Sequence, residues 1–176
     1  MKPAVKAAHD VPDDAEKRLQ SFIAKFSLEH QALIRGVRAA LRKRLPSANE
    51  LVYDNYNFFV IGYSSTERPS DSIVSLAAGA SGAGLSFPYC GARLPDPHKL
   101  LLGSGNTNRF IRLDSAKVLA RPEVEALIAA AVGMAKMPLP CFDLLMCLIT
   151  EFSRHDNQER VKLPKPPYDR PTPVPT

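Results

Sequence analysis

The sequence predicts an α+β fold, in which an antiparallel sheet of about five strands is covered by helices from both ends of the chain. Apolar residues recur at helical spacing before residue 46 and after residue 121, whereas the segment between them alternates with a period of two. The breaks between the alternating segments are short, which favours antiparallel pairing. At 176 residues the chain suits one domain with a core, since chains of this length bury about two thirds of their unfolded surface. We place this domain at residues 13–138.

Two helices are predicted at the N-terminal side, after a loose arm at residues 1–12. Asp13 or Asp14 can cap the first helix and Ser27 the second. Pro46 ends the second helix because proline cannot continue its hydrogen bonds. The faces expected to be buried comprise Ala15, Leu19, Phe22, Ile23 and Phe26 in the first helix, and Ile34, Val37, Leu41 and Leu45 in the second.

A basic stripe lies on the second predicted helix, where Arg35, Arg38 and Arg42 are spaced by three and four residues. Cations near a helix C-terminus stabilise it by a few tenths to about 1 kcal/mol each through the macrodipole. Nucleic-acid surfaces interleave such cations with exposed aromatic residues, and none accompany these arginines in the sequence. We therefore predict a solvated face and no nucleic-acid partner.

Five strands are predicted at residues 51–54, 58–64, 72–78, 84–88 and 109–113. The segment 58–64 is apolar on both of its alternating faces, so we expect this strand to be central and covered on both sides. In the last strand Arg109, Ile111 and Leu113 share one side.

The turn Gly103-Ser104-Gly105 leads directly into the last predicted strand. A phosphate-binding loop would instead end in a lysine and lead into a helix, so this turn does not indicate a nucleotide site. A final helix begins at Pro122, which suits the first helical turn, and closes the domain near Met137.

The character of the chain changes after Pro138. Apolar residues at helical spacing predict an extra helix over residues 139–153, which could dock on the domain or on a second copy and form a homodimer. The proline-rich segment 154–176 is predicted to be disordered or polyproline-like. Pro164 and Pro167 form a PxxP match, but Asp169 occupies the position where one ligand orientation requires a cation.

Composition and termini indicate a cytoplasmic protein with mild attraction to anions. The formal net charge is +5, and no stretch approaches the roughly 20 apolar residues that span a bilayer. We therefore expect no membrane association. The three cysteines form no Cys-x-x-Cys pair, which fits inert thiols in a reducing compartment. A nucleophilic Cys90 would need a nearby base, and no histidine lies close in sequence.

Five short motifs occur in order along the predicted domain. They are Asp54-Asn55-Tyr56-Asn57, Thr66-Glu67-Arg68-Pro69-Ser70-Asp71, Leu94-Pro95-Asp96-Pro97, the Gly103-Ser104-Gly105 turn with Arg109 and Ile111 after it, and Pro122-Glu123-Val124. Together they resemble the YdhG-like family of unknown function over residues 15–138. The resemblance implies helices packed on an antiparallel sheet and a frataxin-like role in iron delivery. Two positions depart from it, since members tend to have Lys at Asn106 and His at Phe110.

The residues themselves support iron delivery poorly. Iron requires several oxygen ligands on one surface, and the densest acidic group is Asp10, Asp13, Asp14 and Glu16, near the predicted loose arm. The four histidines show no paired spacing. Helix capping by the aspartates explains the acidic group as well, so no metal ligands are assigned and iron is kept as the alternative cofactor.

One constellation could form a small anion or carboxylate site. It combines residues of two connections, namely Asp54, Tyr56 and Asn57 on one, and Ser104, Asn106, Arg109 and Arg112 on the other. If the connections meet, the glycine-turn amides and both guanidinium groups would bind an anion beside Tyr56. The alternative is an ordinary turn with solvated arginines. No catalytic residues are assigned, and an enzyme ranks third after a binding domain and an iron carrier.

The sequence thus predicts a non-catalytic binding or accessory domain. Its ligand would be a small anionic molecule or a protein partner. An iron chaperone is the alternative interpretation.

Overall fold

The computed structural model describes residues 13–54, 58–80, 82–139 and 149–151. Its helices are α1 (Asp13–Ile23), α2 (Leu28–Arg44) and α3 (Pro122–Gly133). Its strands are β1 (Asn49–Asp54), β2 (Phe59–Ser64), β3 (Ser72–Gly79), β4 (Gly82–Phe87), β5 (Arg109–Leu113) and β6 (Ile149–Glu151). The predicted α+β fold is confirmed, with helices on both sides of the strands in chain order.

The strands form one sheet in the order β5-β4-β3-β2-β1-β6. Strands β1 to β5 are an antiparallel meander, in which each strand pairs with the next along the chain. Strand β6 adds in parallel to the outer edge of β1 through three residue pairs. Ile149–Glu151 is therefore a strand where the sequence predicts part of a helix. The rest of that prediction after Leu139, the arm 1–12 and the tail 154–176 lie outside the described residues.

Helices α1 and α2 bury the faces that their spacing predicts. Leu19, Ile23, Ile34 and Leu41 are at most 1% exposed. The Ser27 hydroxyl accepts a hydrogen bond from the backbone N–H of His30, which caps α2 as predicted. Helix α3 joins α2 through Arg44, whose guanidinium donates to the Glu125 carboxylate of α3 and to the Leu119 carbonyl just before that helix.

One face of the sheet carries the hydrophobic core. The β2 residues Phe59, Ile61 and Tyr63 are at most 2% exposed, and the ring centroids of Phe22 and Phe26 lie 6.2 and 6.0 Å from that of Phe59. The core contains residues of this face together with buried residues of all three helices. The helices therefore cover this side of the sheet.

The opposite face carries a row of five residues in register, one from each strand of the meander. We call this set the open row, and its members are Tyr53, Val60, Ala77, Gly84 and Arg112. Arg112 is exposed and the other four are half-buried, whereas Leu51, Gly62 and Ser75 of the next row are buried. Strand β2 is central as predicted, and five of its six residues are buried. Val60, which is half-buried, is the one position of this strand where the expected cover on both faces is incomplete.

An irregularity between β2 and β3 changes the alternation at Ile73. The register shifts between Tyr63 and Ser64, and Ile73, which simple alternation would place with the open row, is 3% exposed and belongs to the core. Such irregularities redirect a side chain to the other face of a sheet.

No helix among the described residues is long and apolar enough to cross a membrane.

Candidate functional site

Arg38 is the centre of a buried cluster of charged groups. Its guanidinium donates to both carboxylate oxygens of Glu50 and of Glu16, and the Tyr63 hydroxyl donates to Glu50 at 2.9 Å. Arg38 is 6% exposed and Glu50 is fully buried. The prediction of a solvated basic stripe was therefore wrong for Arg38, although Arg35 is exposed.

Arg38 is hydrogen-bonded to two carboxylates of opposite charge, and these bonds stabilise the charged form of each partner. The hydrogen bond from Arg38 holds the pKa of the Glu16 carboxyl below its ordinary value of 4.5. Burial opposes the charge on Arg38, but its bonds to Glu16 and Glu50 outweigh that effect and raise its pKa. These groups join α1, α2 and β1, so we assign them a structural role rather than a catalytic one.

The glycine turn before β5 is closed by Arg109. Its guanidinium donates to the carbonyls of Gly105 and Asn108, while Ser104 and Asn106 are exposed on the turn. Because the Arg109 side chain is engaged in holding its own connection, it is poorly placed to bind a ligand.

Packing at Gly91 fixes the same connection against the sheet. A Cβ at Gly91 would lie 2.5 Å from the backbone nitrogen of Arg109, so a side chain cannot fit without movement.

The Asp96 carboxylate accepts hydrogen bonds from the backbone N–H groups of Leu100 and Leu101. The aspartate of the Leu-Pro-Asp-Pro turn therefore organises the backbone of this connection.

The two arginines of the predicted site point to opposite faces of β5. Arg109 lies on the side of Ile111, which faces the core, and Arg112 lies on the side of the open row. Successive residues of a strand alternate between faces, and the separation of three makes convergence impossible in a regular strand. The two guanidinium groups therefore cannot bind one small anion together.

The other half of the predicted site is far from Arg112. Asp54 ends β1 and pairs its carboxylate with Lys25, and strands β2, β3 and β4 separate β1 from β5. Four strand spacings correspond to about 19 Å. The expectation that the two connections lie side by side was therefore wrong for Asp54. Tyr56 and Asn57 lie outside the described residues.

The open row contains residues that the sequence did not single out, namely Tyr53, Val60, Ala77 and Gly84. A signal was present in β3 and β4, where Ser75, Ala77 and Gly79 alternate on one strand and Gly82, Gly84 and Ser86 on the next. Small residues at every second position mean that β3 and β4 contribute no bulky side chains to this face, which allows another chain or a ligand to approach their backbone closely.

The structure also bears on a nucleophilic cysteine and on metal binding. Cys90 is 7% exposed, and burial raises the pKa of its thiol, which lowers the thiolate fraction that a nucleophile needs. Across the described ranges, no group of three or more His, Cys, Asp or Glu residues is placed to hold a metal ion. In the acidic group considered for iron, Glu16 is bound to Arg38.

A cleft of about 400 Å³ opens between the start of α2 and the end of β5. Its walls include the side chains of Glu29, His30, Leu33 and Asp114. The two carboxylates disfavour an anion there, so this cleft does not match the predicted ligand class.

The chain matches no protein-family model, no curated protein and no solved structure. The resemblance to the YdhG-like family therefore stays a prediction from the quoted motifs.

Proposed function

We propose that this protein is a non-catalytic binding domain whose ligand lies on the open row. The ligand would present a carboxylate or phosphate to Arg112 and apolar surface to Val60 and Tyr53. It could be a small anionic molecule or the surface of a protein partner. The observation that carries the proposal is this row, with one exposed and four half-buried residues, on the sheet face opposite the helices and the core.

The geometry of the row supports this proposal. Arg112 makes no hydrogen bond or ion pair with other described residues and is exposed, so its planar guanidinium can donate two parallel hydrogen bonds to one carboxylate or phosphate. Ala77 and Gly84 separate it from Val60 with little side-chain bulk. The row spans about 19 Å between β1 and β5, which favours an elongated ligand with one anionic end.

Binding is favoured over catalysis because the perturbed groups of the described chain serve the fold. Glu16 of α1 and Arg38 of α2 bond to each other, and burial raises the pKa of the Cys90 thiol, which favours its neutral form. Active sites usually place such groups in a cleft where they face substrate. None of the three belongs to the open row.

A thermal-shift screen with organic acids, nucleotides and a glutamate-rich peptide tests the proposal. A ligand that binds only the native state at about 100 times its Kd stabilises it by about 2.7 kcal/mol, which raises Tm by several degrees. We expect at least one anionic probe to raise Tm for the wild type and for Arg35→Ala, but not for Arg112→Ala.

Arg35 is the matched control because it is an exposed arginine on α2, the helix that covers the opposite face. An anion that stabilises all three proteins equally would contradict the proposed site. A response only to divalent iron, lost on neutralising Asp13, Asp14 and Glu16 together, would favour the iron chaperone instead.

A further inference from the structure

We infer that the ligand of the open row is a small anionic polyol, such as a sugar phosphate or a sugar acid, whose hydroxyl groups bond to Ser72 and Ser75. This inference rests on the proposed function, because it names the class of molecule that binds on the same sheet face. The anionic group of the ligand is assigned to Arg112. Its hydroxyl groups are assigned to the space bordered by Gly62, Ser72 and Ser75, which we call the serine niche.

The serine niche lies on the same face of the sheet as the open row. Gly62 and Ser75 pair across β2 and β3, and each is two residues from a member of the open row, Val60 and Ala77. Residues two apart in a strand share a face. A Cβ at Gly62 would lie 3.1 Å from Ser72 Oγ and 3.5 Å from Ser75 Oγ. Both hydroxyls therefore border the space that the missing side chain of Gly62 leaves on this face, where a ligand can approach closely.

Neither hydroxyl of the niche has a hydrogen-bond partner among the described residues. Ser72 is 8% exposed and Ser75 is 7% exposed, and no group of the described chain bonds to either Oγ atom. Ser86, the neighbour of Ser75 in β4, instead donates to the Asn108 side chain at 2.7 Å. Buried hydroxyls are normally hydrogen-bonded, and an unpaired one calls for an explanation. A ligand group resting on Gly62 can bond to both oxygens and satisfy them.

The uncharged surroundings of the niche favour hydroxyl groups over a second anionic group. A serine hydroxyl donates one hydrogen bond and accepts others, so it matches the hydroxyl of a polyol, which does the same. The remaining members of this row are Leu51, Ser86 and Phe110, and none of them is charged. A second carboxylate or phosphate would meet no cationic side chain of this row to offset its desolvation.

One small molecule can reach both the niche and Arg112. Two strand spacings, about 9.5 Å, separate β3 from β5, and Ser75 is displaced from the open row by two residues, about 7 Å. The Cα atoms of Ser75 and Arg112 are therefore about 12 Å apart. The long Arg112 side chain can cover part of this distance, which leaves a gap that a six-carbon sugar phosphate can bridge.

Isothermal titration calorimetry with two pairs of probes tests the inference. Glucose 6-phosphate and gluconate carry hydroxyl groups, whereas hexyl phosphate and hexanoate present the same anionic groups without them. We expect the wild type to bind at least one hydroxylated probe more tightly than its alkyl counterpart. Arg112→Ala should weaken the binding of both members of that pair.

Ser72→Ala and Ser75→Ala isolate the contribution of the niche. Each should weaken binding of the hydroxylated probe by about 2- to 13-fold, the effect of one hydrogen bond, and leave the alkyl probe unaffected. Ser70→Ala is the matched control, because it removes an exposed serine hydroxyl from the connection just before Ser72 and should alter neither affinity. Because the two niche hydroxyls lack partners in the described fold, Tm without ligand should not fall in either niche variant.

Several results would overturn the inference. Equal affinity for a hydroxylated probe and its alkyl counterpart, or no binding of either hydroxylated probe, would exclude an anionic polyol. An equal loss of affinity in Ser70→Ala would show that the niche is not the contact. A crystal structure in which water alone bonds to Ser72 and Ser75 beside a bound probe would assign these hydroxyls to solvent.

The outcome is distinguishable from that of the proposed function. If hexyl phosphate or hexanoate binds through Arg112 as tightly as its hydroxylated counterpart, the open row still binds anions and only the polyol assignment fails. If a hydroxylated probe loses affinity in Ser75→Ala but not in Arg112→Ala, the serine contacts stand and the proposed anion contact fails. If none of the four probes binds, the polyol class is excluded, and the wider thermal-shift screen decides the proposed function.

Discussion

The two faces of the sheet give two arginines opposite surroundings. Arg38 belongs to α2, one of the helices that cover the core-bearing face; it is 6% exposed and is bound by two carboxylates. Arg112 lies on the other face, exposed and unpaired among the described residues. Residue type is the same in both, so the difference shows that burial and partners decide whether a cation supports the fold or is available to a ligand.

The largest loss of stability among the variants that test this comparison is expected from Arg38→Met. It leaves the fully buried Glu50 without its ionic partner, which should lower the unfolding free energy by about 3 to 5 kcal/mol. Urea denaturation measures this loss. Arg35→Met is the control and should change stability by less than about 0.5 kcal/mol. Equal losses in both variants would remove the distinction between buried and exposed arginines on α2.

A smaller effect is expected from Gly91→Ala. Its Cβ would lie within 2.5 Å of the Arg109 nitrogen, and relieving such overpacking typically costs about 1 to 3 kcal/mol. Gly105→Ala, in the same connection, meets nothing closer than 3.7 Å and should be tolerated. Comparing Tm for the two variants checks this. If Gly105→Ala is the more harmful, the connection is not held at Gly91.

The Glu16 carboxylate should make a smaller, pH-dependent contribution. Because its pKa is lowered in the folded state, the contribution is present above its unfolded pKa and disappears as pH falls through the folded pKa. Its side chain is 37% exposed, so solvent screening limits the effect to at most about 1 kcal/mol.

Unfolding titrations from pH 7 to pH 2 compare the wild type with Glu16→Gln. We expect the difference in unfolding free energy between the two proteins to be constant near neutrality and to narrow around and below about pH 4.5, where an unperturbed glutamate is about half protonated. A gap that widens on acidification would contradict the assigned direction.

The smallest effect on stability should come from Arg112→Ala on the open face. Exposed substitutions away from buried networks usually change stability by less than about 0.5 kcal/mol. Urea denaturation should therefore give a curve close to that of the wild type, while ligand-induced changes in Tm disappear. A loss comparable with that of Arg38→Met would show that the open row supports the fold instead.

Local patterns in the sequence were sufficient for most of the fold. The strand at Arg109–Leu113 has the predicted bounds, and Ser27 caps α2 as expected, because alternation and capping depend on neighbouring residues. The burial of Arg38 could not be predicted in this way. It depends on Glu16 and Glu50, which lie 22 and 12 residues away in sequence.

The candidate site was less predictable than the fold. A meander in chain order places its first and fifth strands four spacings apart, so Asp54 and Arg112 cannot meet. That consequence was already implied by the predicted short connections. The open row required the pairing register, because Tyr53, Val60, Ala77, Gly84 and Arg112 are brought together only by cross-strand alignment.

The buried charge cluster also has a consequence for the order of folding. Glu16, Arg38, Glu50 and Tyr63 all belong to the N-terminal part of the domain, and short chain separations make loop closure less costly in entropy. The cluster can therefore assemble early, while β5 and α3 join later. Rapid-mixing kinetics of Tyr63→Phe should show slower refolding with little change in the unfolding rate. Faster unfolding at an unaltered refolding rate would place the cluster among the last contacts to form.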